Sequence, residues 1–158
     1  MKNPTTAERK SDRELVVSRT INGPPRLVFE AWTRPELFRR WWVPKSAPIS
    51  LLSCELDGLA WGKYRLVFSF ESQTMEFFGK YLEVTPCSRL VWTNDEGGEG
   101  AAAITTVTFE ERDGKTLLTT HDLHPSKEAL DAAIASGSTE GTSESWDQLD
   151  ELVVNLPQ

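Results

Sequence analysis

The feature that most limits what this chain can fold into lies at its C-terminal end, between Ser126 and Leu156. It is the one segment that reads as long helix. Trp146, Leu149, Leu152, Val153 and Leu156 fall at the three-and-four spacing of a single buried stripe. Glu144, Asp147, Asp150, Glu151 and Asn155 occupy the other side, which is expected to meet water. Upstream, Leu130, Ala133 and Ile134 make a shorter stripe of the same period. Ser126 stands as an N-cap three residues before Ala129, with Pro125 ahead of it and Glu128 in the first turn. Gly137 and Gly141 interrupt the pattern. The spacing therefore predicts a short helix over 126–135, a break near Gly137 and a main helix from about Thr139 to Asn155. Almost everything ahead of it reads as strand, so this helix must bury its stripe against a sheet.

The strands follow from alternation and punctuation. Glu14 to Ile21 is a β-rich run, closed by the turn Asn22-Gly23. Pro24-Pro25 suits the opening of a helix, and Leu27, Val28, Ala31 and Trp32 then repeat at helical spacing. Pro35 begins a second short helix through Phe38 and Arg39, which ends at Trp41-Trp42-Val43-Pro44 because a residue before proline is pushed out of helical geometry. Further strands are expected at Ile49–Glu55, Leu59–Phe70, Met75–Val84, Arg89–Thr93, Ile104–Arg112 and Thr116–Leu123. In the longest, Gly62, Tyr64, Leu66, Phe68 and Phe70 alternate against Lys63, Arg65 and Ser69; in the next, Phe77, Gly79 and Tyr81 share a face. Asp113-Gly114 is the strongest hairpin signal, and Asn94 to Gly100 reads as an acidic loop. Consecutive strands with short turns imply an antiparallel meander, so the class is α+β, with about six to seven strands. A sheet of that length curls, and a curled sheet gripping one helix leaves a space between them.

Composition sets the outer bounds. At 158 residues, 26% charged and 39% hydrophobic, the chain reads as one ordinary soluble globular domain over 13–158, with a disordered tail at 1–12. A net charge of −7 argues against a nucleic-acid backbone as partner. No run approaches the roughly 18 apolar residues of a membrane span, and the polar start from Met1 to Arg13 is not a secretory signal. Cys54 and Cys87 are too few and too far apart for a disulfide scaffold or metal cluster. Two reduced thiols point to the cytoplasm.

Several stretches taken together resemble the SRPBCC superfamily, the START-like and birch-pollen-allergen-like helix-grip proteins. Within it, the chain is similar to the branch named for the activator of heat shock protein 90 ATPase. The resemblance is carried by Val16 to Trp32, by Leu37 to Trp42, by Asp57 to Arg65 and above all by Gly79 to Trp92 (GKYLEVTPCSRLVWT). The tail from Pro125 through Gly137, Gly141, Trp146 and Leu149 completes it, so that roughly residues 12–156 are covered. The resemblance implies a helix-grip fold: a curved antiparallel sheet wrapped around the C-terminal helix, with two short helices after the first strand. It also implies a cavity for a hydrophobic ligand rather than a set of catalytic residues. Two departures bear on that cavity. Trp61 precedes Gly62 where relatives carry a glycine pair, and Thr142 stands where they often carry an aromatic residue, which widens one end of the pocket.

The candidate ligand-binding residues are Trp41, Trp42, Tyr64, Phe68, Phe77, Tyr81, Trp92, His121, Trp146 and Leu149. Either the aromatic ones fill the core outright or several line a pocket. Size bears on the choice. A dry pocket of about 300 Å³, at roughly 24 cal/mol per Å³, costs on the order of 7 kcal/mol, against a net domain stability of about 5–15 kcal/mol. Any cavity must therefore be small, wet or filled. His121-Asp122-Leu123-His124 invites a metal reading, but residues three apart on a strand point to opposite faces, so no metal or other cofactor is expected. If the protein is an enzyme, His121 is the best general acid or base; otherwise no catalytic residue is assigned. Gly98 to Ala103 imitates a dinucleotide fingerprint but leads into a β-branched strand, and Gly141 to Ser145 lacks the closing glycine of a nucleophile elbow. The expectation is a binding protein for a small hydrophobic or aromatic molecule. A co-chaperone-like ATPase activator and a cyclase or hydrolase using the same pocket stay open, as does a homodimer.

Overall fold

A computed structural model describes residues 4–43, 45–46, 49–56, 62–94, 103–135 and 138–156, the side chains of 138–141 excepted. In chain order the elements are β1 (Thr6–Arg9), β2 (Glu14–Ile21), α1 (Pro25–Thr33), α2 (Pro35–Phe38), β3 (Ser50–Leu56), β4 (Lys63–Phe70) and β5 (Gln73–Thr85). There follow β6 (Arg89–Asn94), β7 (Ala103–Arg112), β8 (Lys115–Leu123), α3 (Lys127–Ala135) and α4 (Ser138–Val154). Among the described residues, eight strands form one antiparallel sheet in the order β1-β2-β8-β7-β6-β5-β4-β3. The class is α+β and the architecture is the helix-grip fold. The sheet has one strand more than the sequence pattern yields, and the extra one is β1, inside the segment expected to be a tail. Its four residues are all exposed. Its pairing with β2, from Thr6 opposite Ser18 to Arg9 opposite Leu15, holds it together with the Thr6 hydroxyl bonds to Ser18, the Arg9 bonds to the Ser11 and Asp12 carbonyls and an ion pair from Arg9 to Asp131 at 2.8 Å. A strand without an apolar face leaves no alternation to read.

The Asp113-Gly114 turn fixes the register of the β7–β8 hairpin. Both residues have positive φ, 55° and 81°, as a two-residue type I′ turn requires. Phe109 then faces Leu118, Val107 faces Thr120 and Thr105 faces Asp122. The sheet bends where the register slips, between Leu51 and Ser53 on the β3–β4 pair and between Tyr81 and Glu83 on the β5–β6 pair. The 13 residues of β5 serve two neighbours in turn: Gln73 to Lys80 pair with β4, and Tyr81 to Thr85 pair with β6.

Both early helices are built as their sequences dictate. Pro25 opens α1, and its buried face is Leu27, Val28, Ala31 and Trp32. Pro35 opens α2, whose buried residue is Phe38. The Trp41 indole donates to the Ala31 carbonyl at 2.9 Å, tying the end of α2 back to α1. At α3, the Ser126 hydroxyl accepts from the Ala129 amide at 3.1 Å, a side-chain N-cap. The break placed near Gly137 falls outside the described residues.

Along α4 the expected stripe is inside: Trp146, Leu149, Leu152 and Val153 are buried. The opposite face differs from its expected role. Asp150 is buried, and with Asp147 it grips the guanidinium of Arg19, a buried cation on the inward face of β2. Asp150 also accepts from the Asn22 amide at 3.0 Å and from its side-chain Nδ2 at 3.1 Å. Glu144 accepts from the Ser46 amide at 2.9 Å, while Gln148 donates to the carbonyls of Trp41 and Val43 and accepts from the Lys45 amide. The polar face of α4 thus anchors the segment after α2 rather than meeting only water. Buried charge is tolerated because it is paired and hydrogen-bonded. A helix wheel cannot show this, since Arg19 lies 128 residues before its partner Asp147.

Candidate functional site

Between the inward face of β4–β8 and the helices α3 and α4 lies a cavity of about 650 Å³. A dry void of that volume would cost roughly 15 kcal/mol, as much as the upper end of a domain's net stability, about 5–15 kcal/mol. The space is therefore one for water or for a guest.

Ten aromatic side chains line it, Trp32 and Phe38 among them. Trp41, Trp42, Tyr64, Phe68, Phe77, Tyr81, Trp92 and Trp146 all line it. The rings brace one another: Trp32 packs on Trp92 with centroids 5.7 Å apart, Phe38 stacks on Trp42 at 4.6 Å, and Phe68 meets Phe77 edge-on at 5.3 Å. Gly79 makes the arrangement possible. It lies opposite Tyr64 in the register, and a Cβ there would fall 1.9 Å from the Thr93 carbonyl oxygen and 2.7 Å from the Tyr64 ring. With no side chain in the way, the Tyr64 ring crosses β5 and its hydroxyl donates to the Thr93 carbonyl at 2.7 Å. The Trp32 indole Nε1 is buried without a hydrogen-bond partner among the described residues.

Two of the expected ligand-binding residues lie elsewhere. Leu149 is fully buried in the core and is not part of the cavity wall. His121 lies on the outer face of β8, between Val16 and Thr106 in the register. Its Nε2 sits 2.8 Å from Glu14 Oε1. The Glu14 carboxyl is held below its ordinary range, first by the hydrogen bond from the Ser11 hydroxyl and then by that from His121. The reason for the displacement is strand parity: Thr116, Leu118 and Thr120 are the buried residues of β8, so the odd-numbered residues face out. His121 and His124 do diverge, as the spacing requires, but it is the second that faces the cavity, together with Asp122.

The polar part of the wall was not foreseen from the sequence. Asn94, at the end of β6, donates from Nδ2 to Thr105 Oγ1 at 3.2 Å. The Thr105 hydroxyl donates to Asp122 Oδ1 at 2.6 Å. The Tyr64 hydroxyl lies 3.1 Å from Asn94 Oδ1, so four strands contribute to one chain of polar groups. Asp122 keeps some accessible surface yet is closely surrounded by protein. Burial pushes its carboxyl above the ordinary range, and the Thr105 hydrogen bond and the nearby charge of His124 only partly offset this. Thr142 and Ser145 of α4 and Ala129 and Ala133 of α3 form the small-residue side. Trp61 falls outside the described residues, as do residues 95–102, which include most of the acidic loop and of the glycine-rich imitation motif. Among the described residues no group of three or more His, Cys, Asp or Glu is placed to hold a metal ion, and no helix is long and apolar enough to cross a membrane.

Comparison with known proteins bears on this arrangement. The model of the family described as Activator of Hsp90 ATPase homolog 1-like protein matches residues 22–154. The chain belongs to this family. Solved structures agree on the fold. A protein from Nitrosomonas europaea is 25% identical with a TM-score of 0.83, over 92% of this chain and 97% of that one. A protein from Rhodobacter sphaeroides is 22% identical with a TM-score of 0.89, over 97% of this chain and all of that one, 100%. A protein from Aeromonas hydrophila, described as AHSA1-like, is 17% identical with a TM-score of 0.65, over 90% of this chain and 99% of that one. No curated protein matches the chain.

Proposed function

We propose that the protein holds a small apolar or aromatic guest in the cavity between its sheet and the helices α3 and α4. The observation that supports this reading best is the cavity's size and lining: about 650 Å³, with ten aromatic side chains from the strands and helices on its wall. That volume lies within the roughly 300–1,000 Å³ typical of small-molecule sites, and an apolar wall with a few convergent polar groups is their usual composition. The free thiols Cys54 and Cys87 are consistent with a reducing compartment, the cytoplasm. Native mass spectrometry against a panel of lipids and aromatic metabolites tests the reading. It expects one guest per chain, with binding weakened when Ala133→Leu fills the small-residue side. Absence of binding to every class in the panel would overturn it.

The family description favours a second reading, in which the outer surface activates a chaperone ATPase. Stimulation of that ATPase by the purified protein would support it, and none at saturating protein would remove it. Catalysis through His121 has no geometric support, because that imidazole faces away from the cavity.

A further inference from the structure

We propose that Asp122 anchors the guest and that the guest is an apolar or aromatic molecule carrying a protonated amine. The inference rests on the reading of the cavity as a binding site and names the class of molecule it takes. Direction in the polar chain is the first ground. The Asn94 amide donates to Thr105, and the Thr105 hydroxyl donates to Asp122 Oδ1, so the chain ends on an acceptor. No hydrogen bond to Asp122 Oδ2 is present among the described residues. A guest completing this wall must bring a donor.

Charge is the second ground. Among the described residues, Asp122 is the carboxylate on the wall and His124 the imidazole, and no lysine or arginine lines the cavity. A carboxylate guest would meet the Asp122 charge with only the His124 imidazole to offset it. An ammonium would pair with Asp122 and recover part of what the carboxylate loses by burial. The rings supply the third ground. Trp92, Tyr81 and Tyr64 stand within 6.5 Å of one another, centroid to centroid, beside the polar chain. Their faces attract a cation and gain nothing from an anion. Asp122 and an aromatic box together form the chemistry that recognises an amine.

The test compares three probes that share one ring system: 1-naphthylmethylamine, 1-naphthalenemethanol and 1-naphthoate, titrated into the full chain at pH 7 by calorimetry. The amine is expected to bind about tenfold or more tightly than the alcohol, as one charge-assisted hydrogen bond provides, and the carboxylate more weakly than either. Asp122→Asn should remove the advantage of the amine over the alcohol, and a cooperative urea-unfolding transition shows that the variant is folded. His124→Gln should retain the preference for amine. Carboxylate binding as tight as the amine would overturn the inference, as would amine affinity unchanged in Asp122→Asn or a preference lost in His124→Gln. Alcohol binding without any amine preference would overturn it while leaving the cavity reading in place. Failure of all three probes would overturn it as well, and the lipid and metabolite panel then decides the cavity reading.

Discussion

The two ends of α4 meet the rest of the molecule in different ways. Toward its C-terminal end, Leu149 and Val153 are fully buried in the same core as Ile21, Leu27 and Val28. Val153 comes so close to Gly23 that a Cβ there would lie 2.1 Å from its Cγ1. Toward the other end, Thr142, Ser145 and Trp146 border the cavity. Arg19 separates the two regimes, holding Asp147 and Asp150 on successive turns. The difference teaches how one helix can be firmly docked and still leave space beneath it. Packing and a buried ion pair at one end supply stability, so the other end need not close onto the sheet.

Breaking the clamp should have the largest effect. Arg19→Ala leaves Asp150 buried with its cation removed, and we expect a loss of about 3–5 kcal/mol, read from urea unfolding. A loss below 1 kcal/mol, by the same measure, would show that the packed end does not depend on it. Leu149→Ala should follow, at about 2–5 kcal/mol, because its site is closed on all sides. Adding carbon distinguishes the ends more directly. Ala31→Leu, in the fully buried face of α1, should destabilise by about 1–3 kcal/mol through overpacking, whereas Ala133→Leu on the cavity wall should change stability by less than about 1 kcal/mol. Equal costs at the two positions would mean that the two ends are packed alike.

The smallest effect depends on pH. Burial raises the Asp122 carboxyl above its ordinary 3.8 in the folded protein. The stability linked to that shift is present below the unfolded value and is lost as pH rises through the folded one. Asp122→Asn keeps an oxygen for the Thr105 hydroxyl and removes the charge. The variant should therefore gain on the wild type as pH is raised from about 4 to 7, measured as the difference in unfolding free energy. A difference that is flat, or that runs the other way, would contradict the burial of that carboxylate.

Much of the fold could be read locally. The stripe of α4, the proline starts of α1 and α2, and the Asp113-Gly114 hairpin each depend on residues close in sequence, and each stands where its pattern placed it. The aromatic part of the cavity wall was legible for the same reason, as Tyr64, Phe68 and Tyr81 sit on strongly alternating strands. The polar part was not. In β8 the adjacent Leu117 and Leu118 allow either parity, and choosing the face of Leu117 turns His121 inward instead of Asp122. The correct choice was available across the turn: Val107 and Phe109 set the apolar face of β7, and hairpin register places Thr120 and Leu118 opposite them. Asp122 and Thr105 then fall on the inward face together. The Arg19 clamp had no local signal at all, because its partners meet only when the sheet and α4 come together.

The central claim is that the space beside Trp146 accepts a guest while the packed end stays closed. The most direct measurement is a nuclear magnetic resonance titration with 1-naphthylmethylamine, following the ring signals of Trp92 and Trp146 and the methyl signals of Leu149 and Val153. The ring signals should shift in a saturable one-to-one manner and the methyl signals should hardly move. Ring signals that stay in place, or shifts confined to residues of the outer face, would contradict the account.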